Sequence, residues 1–247
     1  MMKYKFPFKL HGVTLVELMI SMAISLIVML AVTSLYVTSK RGYALQDTLA
    51  RQQENGRFAV DILTQDLHMA GSKKDFFTDA FIAANTTDGG AAAANDTISI
   101  QYESTTDCLG QATPLNSCLI NGLPNDRQCA INNYFIDVNN NLACLGNGAA
   151  NPDVIVERVE NLQILYGVDT DNSSDGTANK YVTWNNVTNA EREKIVSVRF
   201  GLLVSTPTET AKAQLATTHA ILDQTVNLND RRINRVYTST VVLRNRQ

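Results

Sequence analysis

The sequence has no charged residue between Leu18 and Val37, and no proline interrupts residues 13–70. At about 1.5 Å rise per residue, a helix over the uncharged stretch spans a hydrocarbon core of roughly 30 Å. The absence of proline removes the strongest helix-breaking signal from the longer segment. The sequence therefore predicts one long helix that is membrane-embedded over residues 13–38 and amphipathic over residues 39–71.

Other absences narrow the class of protein. The formal net charge is -3, and the pI is near 5.6, so the basic excess of a general nucleic-acid-binding protein is missing. The chain has no Gly-x-Ser-x-Gly, P-loop or His-Glu-x-x-His motif, and we predict that it is not an enzyme. Its length suits one globular domain over residues 72–247, carried on the long helix.

A short basic leader precedes the helix and ends at Gly12. Its lysines keep the N-terminus cytoplasmic under the positive-inside rule, so the rest of the chain is exported. Glu17 lies inside the apolar segment, where an ionisable group costs roughly 2.5–3.5 kcal/mol and marks a charged partner. Cleavage between Gly12 and Val13 would create an amine that can pair with Glu17 of a neighbouring copy.

Two simpler interpretations of this segment exist. A secretory signal peptide has a shorter apolar region, and its cleavage site follows that region rather than preceding it. A plain signal anchor would leave Glu17 snorkelling to the membrane interface.

The residues Gly12-Val13-Thr14-Leu15-Val16-Glu17-Leu18-Met19-Ile20 resemble the signature of type IV prepilins, although the first residue after the cut is usually phenylalanine. Further stretches are similar to the PilW family of minor pilins. They are Glu54–Ala59, Asp66–Gly71, Tyr166–Asp169, Ser197–Arg199 and Thr240–Arg246. Major pilins commonly have a proline near the position of Ser34, so the resemblance favours a minor subunit.

This resemblance implies a pilin-like α+β fold, with the long N-terminal helix packed on a C-terminal antiparallel β-sheet domain. It implies that a prepilin peptidase cuts after Gly12, that the amine of Val13 is methylated, and that Glu17 aligns subunits during assembly. The chain would be an inner-membrane protein with a cytoplasmic N-terminus and a periplasmic domain. It would join other minor pilins and the major pilin to initiate type IV pilus assembly, at the tip of an extracellular fibre.

Two rival functions are compatible with the sequence. A minor pseudopilin of a type II secretion system shares the signature and the helix. A membrane-anchored adhesin or Ca²⁺-dependent binding module would use the helix only as an anchor. Such an anchor should tolerate Glu17→Leu, whereas an assembly subunit should not.

All four cysteines lie in one stretch of an exported chain, and their even number predicts two disulfides among Cys108, Cys118, Cys129 and Cys144. Four cysteines allow three pairings. Because short loops close easily, we favour Cys108–Cys118 with Cys129–Cys144. The spacings lack the paired short intervals of a zinc site.

The segment Asp169–Gly176 places acidic side chains at alternating positions. This pattern predicts weak Ca²⁺ binding through Asp169, Asp171 and Asp175, and no other cofactor is predicted. The segment is not an EF-hand, because Lys180 occupies the position of the bidentate glutamate. The alternative is a solvated Asx-type turn between strands.

The remaining patterns predict the domain's elements. Strands are expected at residues 97–102, 154–156, 162–166, 195–204 and 236–243, with the fourth as the longest and central one. The segment Ala211–Leu222 is helix-like and carries His219 as a surface or packing residue. Five arginines make the C-terminus basic, either to face an acidic partner or DNA or to solubilise an edge strand. They are Arg231, Arg232, Arg235, Arg244 and Arg246.

Overall fold

The computed structural model of the chain describes residues 12–71, 80–90, 94–120, 123–124, 126–171, 175–211 and 213–246. The predicted long helix is confirmed as α1 (Leu15–Met69), which continues through Gly42 and Gly56. Leader residues 1–11 lie outside the described part of the chain.

The C-terminal end of α1 is fixed by two features. Gly71 has a positive φ of 72°, a left-handed conformation that commonly ends helices. The Asn245 side-chain amide donates to the carbonyls of His68 and Ala70, at 3.0 and 3.3 Å. The last residues of the chain therefore cap its first helix, and the stop predicted at Gly71 is confirmed.

The chain divides into two compact units, and the boundary falls after Asp47, within α1. The described part of the second unit contains α1 from Thr48 onwards, a short helix α2 (Asn189–Arg192) and twelve strands. The strands are β1 (Ile98–Glu103), β2 (Leu119–Ile120), β3 (Leu123–Pro124), β4 (Cys129–Ile136), β5 (Leu142–Gly146), β6 (Asp153–Val156), β7 (Val159–Val168), β8 (Lys180–Val182), β9 (Ile195–Ser205), β10 (Leu215–Ile221), β11 (Gln224–Asp230) and β12 (Asn234–Val242).

The described strands form two four-stranded sheets and two hairpins. The first sheet has the order β1-β4-β5-β6, and the second has the order β12-β9-β7-β8. The hairpins are β2-β3 and β10-β11, and every strand pair is antiparallel. The predicted α+β fold is confirmed, and β9 is the longest strand, inside the second sheet.

The helix predicted over Ala211–Leu222 is wrong, because β10 occupies most of that segment. Ile221 and Val226 of the β10-β11 hairpin pack against Leu203 of β9. His219 lies opposite Val226, and its Nε2 is 3.0 Å from the Thr217 hydroxyl. Burial of one face of the hairpin outweighs the helix propensity of an alanine-containing segment.

The second half of α1 joins the domain core through both apolar and polar residues. Ala59, Leu63 and Leu67 are buried in one cluster with side chains from both sheets. Gln52 is only 2% exposed, and its amide donates to the carbonyls of Val204 and Ile233 at 2.8 and 2.6 Å. The buried helix face therefore also hydrogen-bonds to strand ends.

Gly56 allows α1 to approach β12 closely. A Cβ added at Gly56 would overlap the ring of Tyr237. Gly56→Ala is therefore expected to destabilise the domain by about 1–3 kcal/mol through overpacking. In a Tyr237→Ala background, the same change should stabilise it by up to about 1 kcal/mol, because alanine is the better helix former. Urea unfolding of the four proteins measures both effects, and an equal effect in both backgrounds would contradict this contact.

The two disulfides are Cys108–Cys144 and Cys118–Cys129, so the pairing favoured from loop length is wrong. The β2-β3 hairpin brings Cys118 beside Cys129, and the Ser117 hydroxyl donates to the Cys129 carbonyl at 2.8 Å. The Cys108 N–H donates to Asn132 on β4, next to the strand that carries Cys144. Strand pairing therefore decides the connectivity.

Trypsin digestion without reduction tests this pairing. Cleavage after Lys74, Arg127 and Arg158 gives peptides 75–127 and 128–158, each with two cysteines. We expect one disulfide-linked species in mass spectrometry, which separates into two peptides on reduction. Two unlinked peptides before reduction would instead show the pairing of Cys108 with Cys118 and of Cys129 with Cys144. By closed-loop entropy, the bridges spanning 36 and 11 residues stabilise the fold by about 4 and about 3 kcal/mol.

Asp96 joins the loop before β1 to β7 and is 3% exposed. Its carboxylate accepts from the backbone N–H groups of Gly89 and Ile164, at 2.8 and 2.7 Å. Burial raises the pKa of Asp96 to about 6, and the two hydrogen bonds oppose the rise.

This raised pKa predicts a pH-dependent stability. The folded chain binds the Asp96 proton more tightly than the unfolded chain does. Protonation of Asp96 therefore stabilises the fold, and this stabilisation is lost as pH rises through about 6. Between pH 7 and pH 5, wild type should gain about 1 kcal/mol of unfolding free energy relative to Asp96→Asn. Denaturation of both proteins at the two pH values measures the difference, and a pH-independent difference would contradict the prediction.

Candidate functional site

The first turn of α1 carries the residues predicted for processing and assembly. Thr14 precedes the helix, and its N–H and its hydroxyl both donate to Glu17 Oε2 at 3.0 Å. In return, the Glu17 N–H lies 3.3 Å from the Thr14 hydroxyl oxygen. This is a capping box, which satisfies backbone donors at the start of a helix. Gly12 and Val13 lie just before it and are exposed.

The capping box gives Glu17 a role within its own subunit. The spacing Thr14-Leu15-Val16-Glu17 is the sequence signal for such a box, and it was readable without a structure. Glu17 Oε1 accepts no hydrogen bond from the described residues, so one carboxylate oxygen remains available to a cation. The geometry therefore allows Glu17 to cap its helix and to bind a positive group at the same time.

The apolar part of α1 has the length and composition of a membrane span. Its most apolar 18-residue window has a mean hydropathy of 2.5, and none of it is buried. The hydroxyls along this part donate to backbone carbonyls three or four residues earlier, which satisfies them without water. They belong to Ser21, Ser25, Thr33, Ser34 and Thr38.

The acidic loop after β7 uses two of its three predicted ligands internally. Asp171 accepts from the Asn179 amide at 2.9 Å, and Asp175 accepts from the Thr177 N–H at 2.8 Å. Asp169 is 8% exposed, and its Oδ1 has no hydrogen-bond partner among the described residues. Within the described ranges, which omit residues 172–174, no three His, Cys, Asp or Glu residues come together as a metal site. Calcium binding stays a prediction.

Comparisons with known proteins agree with the helix start. The model of the prokaryotic N-terminal methylation motif matches residues 9–33. The model of type IV pilus-assembly protein W, PilW, matches residues 133–245, from β4 to the C-terminal turn. The chain is a type IV minor pilin, as the sequence predicted. The two matches together support a PilW-family subunit.

Other comparisons are more distant. A search of curated proteins finds no match to this chain. Among solved structures, a type IV-like pilin from Thermus thermophilus is 13% identical with a TM-score of 0.45, over 81% of this chain and 97% of that one.

Three of the five C-terminal arginines have contacts within their own domain. Arg231 pairs with Glu209 at 3.3 Å, and the Arg235 guanidinium lies 5.7 Å from the Tyr237 ring centre. Arg232 donates to the carbonyls of Thr206 and Pro207 at 2.7 and 2.6 Å. Arg232 therefore holds a turn, and replacing it would disturb the fold as well as any basic surface.

A buried polar cluster, which no local sequence pattern indicates, fixes the helix to the first sheet. Asp66 is 9% exposed, and its Oδ2 accepts from the Tyr134 hydroxyl and the Asn132 amide, both at 2.7 Å. Its Oδ1 accepts from the Tyr102 hydroxyl at 3.1 Å. Asn132 also accepts from the Cys108 N–H, so one network joins α1, β1, β4 and a disulfide.

Proposed function

We propose that this minor pilin helps to initiate type IV pilus assembly and is incorporated at the fibre tip. The observation that carries the proposal is the start of α1. A single carboxylate lies there in the first turn of an exposed apolar helix of membrane length, directly after Gly12. A prepilin peptidase would cut after Gly12, and the amine of Val13 would then be methylated. The protein would act as a structural subunit, without catalysis.

Assembly would bring the terminal amine of one subunit to Glu17 of another. In lipid, pairing a carboxylate with a cation offsets the cost of placing either group in hydrocarbon. Glu17 Oε2 is held by Thr14, which orients the carboxylate before any partner arrives. Other minor pilins and the major pilin would supply the neighbouring helices. The N-terminus would be cytoplasmic and the domain periplasmic before the subunit enters the fibre.

Intact mass and N-terminal sequence of the protein from membranes and sheared fibres test processing. We expect a chain that begins at Val13, with the additional mass of one methyl group. A Cβ added at Gly12 or at Gly42 would meet no atom within 4 Å, so neither position is packed. Gly12→Val should block cleavage and incorporation, whereas the matched variant Gly42→Val should be processed normally. A wild-type chain that keeps its leader would contradict the proposal.

We also propose weak Ca²⁺ binding at Asp169, Asp171 and Asp175. The unpartnered, buried Oδ1 of Asp169 supports it, and the internal hydrogen bonds of Asp171 and Asp175 weigh against it. Calorimetry on the whole protein in detergent should show heat at millimolar Ca²⁺ that Asp169→Asn abolishes. An absence of heat from the wild type would remove this proposal and would leave the pilin assignment unaffected.

A further inference from the structure

The strand β12 forms one edge of the second sheet, and its outward backbone groups have no partner in the described chain. The Leu243 N–H donates to the Val196 carbonyl, and the Ile233 carbonyl accepts from the Thr206 N–H. The backbone N–H and C=O groups of the odd-numbered residues therefore point towards β9. The pairing with β9 continues without a register shift from Asn234 to Val242. Alternation in an antiparallel ladder therefore turns the even-numbered residues outward. They include Val236, Thr238, Thr240 and Val242.

The other described edges of the two four-stranded sheets are short or covered. The edge strands β8 and β6 have three and four residues. The outer edge of β1 is covered by residues 80–87, through bridges of Phe81 with Ile100 and Thr87 with Thr97. Proteins commonly protect edges by shortness, charge, proline, bulges or a covering segment. β12 has nine residues, no bulge, no proline and no charge from Val236 to Leu243.

The charges that flank this edge select the partner. Arg235 lies before the uncharged stretch and Arg244 lies after it. Antiparallel pairing of two copies through the middle of β12 would bring Arg235 of one copy near Arg244 of the other, which like charges oppose. A different chain with acidic residues at both ends of an uncharged strand would instead be complementary.

We propose that the outer edge of β12 is a docking site for an extended strand of a different polypeptide, uncharged in its middle and acidic at both ends. The four outward residues span about 20 Å, the length of a six- to seven-residue strand. Main-chain hydrogen bonds to the edge would supply affinity, as in β-strand addition, and the flanking arginines would set register. This proposal does not depend on pilus assembly.

Hydrogen exchange on the full-length protein in detergent tests the proposal. The free protein should show fast exchange at the outward amides and slow exchange at the amides facing β9, such as those of Tyr237 and Val241. The peptide Asp-Thr-Val-Thr-Val-Thr-Asp, at up to millimolar concentration, should slow the outward amides at least tenfold. A matched peptide with lysine at both ends should bind at least tenfold more weakly.

Variants of Thr238 separate docking from folding. The Thr238 N–H faces outward, so Thr238→Pro removes a docking donor without removing a bond to β9. It should abolish protection by the acidic peptide and keep the inward amides slow. If the proline unfolds the strand, Thr238→Lys provides the test. It adds a third positive group beside the edge and keeps the hydrogen bonds between β12 and β9. It should therefore change the ratio of the affinities for the acidic and the lysine-ended peptides. Thr225→Lys, on the exposed face of β11, is the matched control.

Three results would overturn the proposal. Outward amides that are already slow in the free protein would mean that the chain covers its own edge. Equal binding of the acidic and lysine-ended peptides would remove the charge argument. A dimer that Thr238→Pro dissociates would identify a second copy, rather than a different chain, as the occupant.

Discussion

Glu17→Leu is expected to reduce the amount of this minor pilin in sheared fibres at least tenfold, while the processed chain remains in the membrane. The substitution removes the capping interaction with Thr14 and the negative charge together. Tenfold corresponds to about 1.4 kcal/mol, which is less than the cost of leaving a terminal amine unpaired in hydrocarbon. Immunoblots of fibre and membrane fractions measure both pools.

Glu17→Gln separates the two roles of the side chain. A glutamine oxygen can still accept from Thr14, so the helix start is kept, but the amide is uncharged. We expect Glu17→Gln to fail in fibres nearly as completely as Glu17→Leu, because the charge binds the neighbour. Glu54→Gln, the same change at an exposed position of α1, should incorporate normally. Normal incorporation of Glu17→Gln into fibres would show that helix capping alone explains why Glu17 is required.

Repeating local patterns made the long helix and five of the twelve described strands predictable. The uncharged run fixed the first half of α1, and alternating apolar residues marked β1 and β9. The hairpin β10-β11 was not predicted, because its turn is formed at Leu222, which has a positive φ of 54°. Leucine is not one of the residues that signal such a turn. Its two strands are held by contacts with Leu203, which no local pattern reveals.

The disulfide pairing and the buried helix face were not predictable for a related reason. Pairings over 108–118 and over 118–129 close loops of nearly equal length, so loop entropy cannot choose between them. The choice depends on strand register, which is a long-range property. A periodic pattern identifies a buried helix face by its apolar residues. Gln52, Gly56 and Asp66 do not fit such a pattern, because they are buried by contacts with partners far along the chain.

Asp66→Ala is expected to cost the domain about 3–5 kcal/mol of unfolding free energy. The carboxylate accepts from Tyr134, Asn132 and Tyr102. Its removal leaves the two tyrosine hydroxyls without their acceptor, whereas the Asn132 amide keeps only its bond to the Tyr102 hydroxyl at 3.1 Å. Burial, reinforced by the Asp66 charge, raises the pKa values of both tyrosines, so their hydroxyls remain protonated donors. Urea unfolding followed by fluorescence of Trp184, the only tryptophan, measures the loss.

Two further variants make this prediction specific to the network. Asp61→Ala removes an exposed carboxylate from the same helix, whose ion pair with Arg57 is 3.7 Å long, and should cost less than about 1 kcal/mol. Tyr134→Phe removes one donor, so Asp66→Ala should cost less in that background, by about 1–3 kcal/mol. Additive losses would mean that Asp66 and Tyr134 stabilise the fold independently. Should Asp66→Ala fail to fold, Asp66→Asn, which keeps one acceptor oxygen, provides the same coupling measurement.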